Sequence, residues 1–272
     1  MIELAPEDKI IFSGDWHGSA TQSRNAVRFA AEKGAKVILQ VGDFGIWEDD
    51  HRFIRRTNLY LTENDMVLYF VDGNHENFDK LYAIPLEEDG TRKIADRIFH
   101  LPRGFRWAWG GVSFMGLGGA ASIDKFSRRK GESWWEEELL TEDDVQNAIA
   151  GGPVDVMITH DSPASAPNPI CDDPIGQAGA ATYFGGEALE ICTEHRKTLQ
   201  RVTDAVTPRV LIHGHYHRLM EGDYRHADGS NGYVLGLGEG RQPLSMCAAL
   251  SSPMELAQLC LEVQSTLAGR LL

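Results

Sequence analysis

Residues 9–18 read Lys9-Ile10-Ile11-Phe12-Ser13-Gly14-Asp15-Trp16-His17-Gly18, an apolar run that gives way at a glycine to a carboxylate and an imidazole two positions apart. The run has the composition of a buried strand. Four other apolar runs likewise end in metal-binding residue types. Residues 37–41 lead into Gly42-Asp43, 66–71 into Gly73-Asn74-His75-Glu76, 154–158 into Thr159-His160-Asp161, and 209–212 into Gly214-His215-Tyr216-His217. In an α/β sheet the loops beyond the carboxyl ends of strands converge on one crevice, so these distant residues can share one site.

Between the strands the pattern changes period. Residues 20–33 place Ala26, Val27, Ala30 and Ala31 on one helical face and stop at Gly34, and residues 48–62 repeat this with Phe53, Ile54, Tyr60 and Leu61. The first third therefore reads βαβαβ, with a parallel sheet. After Pro85, residues 94–109 and 112–117 read as antiparallel strands joined by turns at Pro102-Arg103-Gly104 and Gly110-Gly111. Residues 116–135 and 163–184 read as two long surface loops, the second for its Pro163, Pro167, Pro169 and Pro174. Thr141 with Asp144 predicts a capping box opening a helix to Ala150, and residues 187–206 a further helix. The tail beyond Pro253 is ambiguous between helix and strand. No repeat or linker divides the 272 residues, which are expected to form a single domain over 1–272.

A formal net charge of −14 argues against a non-specific grip on nucleic acid or an anionic membrane. No apolar run reaches the roughly 20 residues of a membrane span, and residues 1–8, with Glu3, Glu7 and Asp8, lack a signal-peptide pattern. Cys171, Cys192, Cys247 and Cys260 are widely spaced, which suits free thiols and a cytoplasmic location.

The motif residues form a mixed nitrogen and oxygen donor set without thiolate. That set suits two divalent ions such as Mn²⁺, with Fe, Zn²⁺ or Ni²⁺ as alternatives, better than Ca²⁺. Asp15 and His17 would point to one side of an extended segment. Asp43 can bridge two cations at the roughly 3.5–4 Å spacing of dinuclear hydrolytic sites. Asn74, His160 and His215 could complete the second ion, and His217 could return to the first.

The order Asp-x-His, Gly-Asp, Gly-Asn-His-Glu, single His, Gly-His-x-His, running from Gly14 to His217, resembles the calcineurin-like metallophosphoesterases. The resemblance implies a four-layer α-β-β-α sandwich of two mixed sheets with the site above the strand ends. It places Asp15, His17, Asp43 and His217 on one metal, and Asp43, Asn74, His160 and His215 on the other. His75 would be catalytic, protonating the leaving oxygen or steadying the transition state, while a metal-bridging hydroxide attacks the phosphorus. Residues 118–136 are similar to the short bacterial and phage members, for which phosphodiesterase activity, including on cyclic nucleotides, is implied. The expected partner is a small phosphodiester or nucleotide, and the alternatives are a nuclease or a non-catalytic scaffold of the same fold.

One departure stands out. Where Ser/Thr protein phosphatases carry a second aspartate and an arginine in Gly-Asp-x-x-Asp-Arg-Gly, this chain has Ile46 and no arginine. That disfavours a protein phosphatase and leaves Glu48, Asp72 or Asp161 as carboxylate partners for His75. Arg128 and Arg129 read either as part of a solvated charge run or as groups that meet a phosphate, and Trp134 and Trp135 first as anchors for the loop and otherwise as a platform to stack on a base. His213 is expected to be buried. His51, His100, His195 and His226 are expected on helix or hairpin surfaces.

Overall fold

A computed structural model describes residues 1–47, 52–168 and 170–265. The first sheet contains β1 (Lys9–Ser13), β2 (Ala35–Gln40), β3 (Val67–Phe70), β4 (Arg92–Ala95), β5 (Ile98–His100) and, late in the chain, β12 (Ala248–Ser251), in the order β12-β1-β2-β3-β5-β4. The second contains β6 (Phe105–Trp109), β7 (Val112–Leu117), β8 (Val156–Thr159), β9 (Val210–His213), β10 (Met220–Arg225) and β11 (Asn231–Gly236), in the order β10-β11-β9-β8-β7-β6. Both sheets are mixed: β1-β2-β3-β5 and β7-β8-β9-β11 run parallel, and each sheet ends in antiparallel strands.

Alternation along the strands builds the layers. Ile10, Phe12, Val37, Leu39 and Tyr69 of the first sheet pack on Phe114, Val156, Ile158 and Val210 of the second, forming the central core. The opposite faces are covered by helices. Ile11, Ile38 and Leu68 meet α1 (Ala20–Lys33) and α2 (Arg52–Glu63), while Met115, Met157 and Leu211 meet α4 (Glu142–Ala150) and α6 (Gly186–Val206). The result is the four-layer α-β-β-α sandwich. Because the central strands are buried on both faces, they read as unbroken apolar runs.

The helix boundaries follow local chemistry. Ser19 caps α1 by accepting from Gln22 N, and Gly34 closes it at φ 69°, returning its N–H to Ala30 and Ala31 carbonyls. Thr141 and Asp144 form the reciprocal capping box of α4. Among the described residues no helix is long and apolar enough to cross a membrane.

Three readings are corrected. Of the two turns expected between residues 94 and 117, Gly110-Gly111, at φ 54° and 85°, makes a hairpin, whereas Pro102-Arg103-Gly104 carries the chain from β5 in one sheet to β6 in the other. Residues 163–184 are not one loop, since α5 (Pro174–Phe184) starts with Asp173 capping Ile175 and Gly176 and with Pro174 in its first turn. The tail is helical, α8 (Pro253–Ser265), with Leu256 and Cys260 closing the central core. A short helix, α3 (Phe78–Ala83), follows the third motif, and α7 (Leu244–Cys247) precedes β12. The predicted start of α2 at residues 48–51, including Glu48 and His51, lies outside the described residues.

Candidate metal centre and adjoining pocket

Five strand ends deliver the motif residues to one place. Asp15 and His17 follow β1, Asp43 follows β2, Asn74 and His75 follow β3, His160 follows β8, and His215 and His217 follow β9. The loops are tight and cross-linked. Trp16 N and His17 N both donate to the Asp43 carbonyl, at 3.1 and 2.8 Å, and His215 N donates to the Asp15 carboxylate at 3.1 Å. His17, Asp43, His215 and His217 all adopt positive φ, between 47° and 69°. Left-handed backbone at non-glycine residues costs of order 1–3 kcal/mol each and gathers at functional sites. His17 therefore reaches Asp15's neighbourhood through a turn and not through strand alternation. Gly42, at φ 101°, packs so closely that a Cβ would collide with the His160 ring.

Asp15, His17, Asp43 and His217 each place a ligand atom within 4.8 Å of the others. His217 Nε2 lies 3.1 Å from both Asp15 Oδ2 and His17 Nε2, and His17 Nδ1 is 3.6 Å from Asp43 Oδ2. A second group adjoins the other oxygen of Asp43. His160 Nε2 sits 3.3 Å from Asp43 Oδ1 and 3.1 Å from Asn74 Oδ1, with the His215 ring 5.1 Å from the His160 ring. Ligand–metal bonds of roughly 2.0–2.2 Å make neighbouring donors lie about 3 Å apart, so these spacings fit one cation on each side of Asp43.

The electrostatics suit cations as well. Burial would raise the Asp43 pKa, but the His160, His75 and His17 imidazoles outweigh it and hold the carboxyl well below the usual range. Burial acts on His160 in the opposite sense, yet Asp43 and Asp15 push it up to about 10. Positive charge is thus strongly favoured where the donors meet. His215 is driven down to about 4, chiefly by burial, which leaves it a neutral imidazole able to ligate.

The donors are held from behind. Asn74 Nδ2 donates to Ser122 Oγ at 2.9 Å, and Ser122 donates through N and Oγ to the buried Glu138 carboxylate, which turns Asn74 Oδ1 toward His160. His160 Nδ1 lies 2.8 Å from the Val41 carbonyl, fixing Nε2 as the free ligand atom. Asp161 accepts from Tyr216 and His195 at 2.6 and 2.8 Å, bracing the loop that carries His215. His217 Nδ1 has Glu239 at 3.8 Å. Ser122, Glu138 and Glu239 carry no motif, and only the fold shows their place.

His75 stands beside this cluster, its ring edge-on to His17 at 5.1 Å. Its backbone N–H donates to Asp43 Oδ1 at 2.8 Å. Of the three expected carboxylates, two are engaged elsewhere, since Asp72 holds His100 and Arg103 and Asp161 holds His195 and Tyr216, and Glu48 lies outside the described residues. Its side-chain neighbour is cationic, with Arg128 Nη2 2.8 Å from His75 Nε2 and Arg128 anchored by Asp124 at 2.8 Å. Burial, then Arg128 and His17, lower the His75 pKa against the pull of Asp43. Glu76 turns away to accept from Phe44, Gly45 and Ile46 N–H groups, shaping the Gly45-Ile46 turn where a protein phosphatase would carry its second aspartate.

A pocket of about 370 Å³ opens at His75 and Arg128, walled by Trp47, Asn77, Glu132 and Trp135. Of the candidate substrate contacts, Arg128 and Trp135 reach it. Arg129 does not, because its side chain is 82% exposed and pairs with Glu132. Trp134 is buried beneath Lys125, which lies 4.9 Å from its ring, and Trp135 is buried with its indole N–H on Asp79. His100, His195 and His226 are buried and not on the surface, drawn in by Asp72, Asp161 and the Pro208 carbonyl. His213 is buried as expected.

The sequence model of the calcineurin-like phosphoesterase family matches residues 8–219. Among solved structures, a dimetal phosphatase from Danio rerio is similar over 91% of this chain and 93% of its own, with 15% identity and a TM-score of 0.52. A Thermus thermophilus protein is similar over 90% and 99%, with 10% identity and a TM-score of 0.49. No curated protein sequence matches the chain.

Proposed function

Because the chain belongs to the calcineurin-like phosphoesterase family, whose members are dinuclear metal-dependent, we propose that it hydrolyses phosphodiesters, nucleotide-type or cyclic nucleotide esters among them. The observation that carries this reading is the Asp43 carboxylate, with one oxygen facing His17 and the other facing His160. Asp15, His17, Asp43 and His217 would hold one divalent ion and Asp43, Asn74, His160 and His215 the second, with Mn²⁺ the first choice for this donor set. Bound there, two such ions supply Lewis acidity and a water of lowered pKa.

The chain's own groups do the rest. Arginine only donates, so Arg128 occupies the lone pair of His75 Nε2 and the ring proton of neutral His75 sits on Nδ1. An arriving phosphoryl oxygen takes over Arg128 donors and frees Nε2 to take up a proton from solvent. As the water oxygen bonds to phosphorus, the ester P–O bond breaks and the departing alkoxide takes that proton from His75, while the water proton passes to solvent. Arg128 is the one arginine or lysine among the described pocket residues, and Glu132 also lines the pocket. One guanidinium matches the single charge of a diester better than the double charge of a monoester.

The test is hydrolysis of bis(p-nitrophenyl) phosphate with added Mn²⁺, abolished by chelator. Faster turnover of p-nitrophenyl phosphate would overturn the diester assignment. Inactivity with every divalent ion would favour a scaffold.

A further inference from the structure

We propose that the pocket beside His75 is the subsite for a nucleoside leaving group and that Trp47 is its stacking platform. The proposal rests on the phosphodiesterase reading above. Trp47 Nε1 donates to the His75 carbonyl at 2.6 Å, which satisfies the polar edge of the indole and pins the ring to the residue that would protonate the leaving oxygen. Yet Trp47 remains 52% exposed, whereas Trp16, Trp109, Trp134 and Trp135 are all under 10%. A rigid indole whose N–H is already bonded and whose face is left to solvent gains by covering that face with another flat ring. Any group departing on the His75 side of the phosphorus enters the space that Trp47 borders.

The remaining walls select among flat groups. Asn77 Oδ1 caps Lys80 N, so its amide nitrogen is left as a donor, and the Glu132 carboxylate, which meets Arg129 through Oε2, keeps Oε1 as an acceptor. A simple phenol matches neither, whereas a nucleoside brings ring acceptors for Asn77 and a ribose hydroxyl, the 5′-OH in a 2′,3′-cyclic ester, for Glu132. A volume of about 370 Å³ lies near the small end of ligand pockets and takes one nucleoside, not a folded polymer.

The experiment compares two five-membered cyclic diesters, adenosine 2′,3′-cyclic phosphate and ethylene phosphate, which share the reacting ring and differ in the nucleoside. The Trp47→Ala substitution should lower the ratio of their kcat/KM values about tenfold or more, as expected for loss of a base-stacking side chain, and Trp47→Phe should keep the ratio within about threefold. Taking the ratio cancels any loosening of His75. An unchanged ratio in Trp47→Ala overturns the proposal. Binding is read separately, because Trp47 is the tryptophan most open to a quencher. Saturating adenosine should protect part of the wild-type fluorescence from acrylamide and none in Trp47→Phe. If wild type cleaves neither ester, the phosphodiesterase reading falls, and the presence or absence of adenosine protection still decides the subsite.

Discussion

Arg128 and His75 share a 2.8 Å contact, Nη2 to Nε2, in which a guanidinium occupies the atom from which a general acid must donate. The pair is a poised exchange, since a phosphoryl oxygen competes for the same donors with a full charge. Arg128→Ala should therefore lower kcat/KM for phosphodiesters by about ten- to a hundredfold, the range of a hydrogen bond to a charged group. Arg128→Lys should recover little, because an ammonium cannot donate along two directions of a fixed fork. Arg129→Ala should stay within about twofold of wild type, its side chain pointing to solvent. Similar losses in both alanine variants, read from initial rates, would remove Arg128 from the site.

Asp43 and His75 separate metal binding from chemistry. Asp43→Ala removes the one carboxylate that faces both donor groups, so metal content and activity should fall together. His75→Ala should keep its metal and lose turnover, more for an alkoxide leaving group than for p-nitrophenolate, whose stable anion needs little proton donation. Metal analysis beside a leaving-group series checks both. Depleted metal in His75→Ala would make it a ligand.

The metal donors were legible because each sits one to five residues beyond an apolar strand, and all but His160 and His217 stand beside a glycine; such local signals survive in a linear sequence. The sandwich came with them through the family resemblance. What escaped depends on contacts between distant segments. Trp47 acquires its role only when its indole bonds the carbonyl of His75, and Glu138 only when it meets Ser122 behind Asn74. His195 lies on a helix of mixed polarity and reads as exposed until Asp161 is found 2.8 Å away. Helix α5 was hidden by composition: Pro174 and Gly176 suggest a loop, and none of its residues is buried, so no apolar stripe betrays it.

Trp134 is an anchor for the loop over residues 118–135. Its backbone N–H meets the Arg129 carbonyl, its carbonyl takes the Gly131 N–H, and its ring lies under Lys125. Trp134→Ala should cost about 3 kcal/mol of stability, the range for truncating a buried tryptophan, and lower turnover of every ester by a common factor. Differential scanning calorimetry with two esters checks this. A selective rise in KM for nucleotides at unchanged Tm would return Trp134 to the binding surface.

Asp72 makes stability depend on pH. Burial would raise its pKa, but Arg103 at 2.8 Å and His100 at 3.2 Å hold it well below the usual carboxylate range. The unfolded value is about 3.9, so the contribution is fully present above that pH and is lost as pH falls toward the lower folded value. Asp72→Asn should be destabilised by roughly 3–5 kcal/mol at pH 7, as for breaking a buried pair, with the gap to wild type narrowing between pH 5 and pH 2. Urea unfolding across that window is the measurement, and a constant gap would remove Asp72 from the acid response.

Gly42 offers the sharpest test of two distinct ion positions. Its φ of 101° is open to glycine but strained for any other residue, and a Cβ there would run into the His160 ring. His160 faces Asn74 and the Oδ1 side of Asp43, whereas Asp15, His17 and His217 gather on the Oδ2 side. Gly42→Ala should therefore fold with a Tm a few degrees lower, keep about one metal ion per chain where wild type holds two, and lose activity. Adding excess Mn²⁺ should restore activity in proportion to the second ion regained, because the ligands survive and only their placement is disturbed. Full occupancy of both positions together with full activity would show that the His160 ring can move aside without cost and that the two donor groups are not separable in this way.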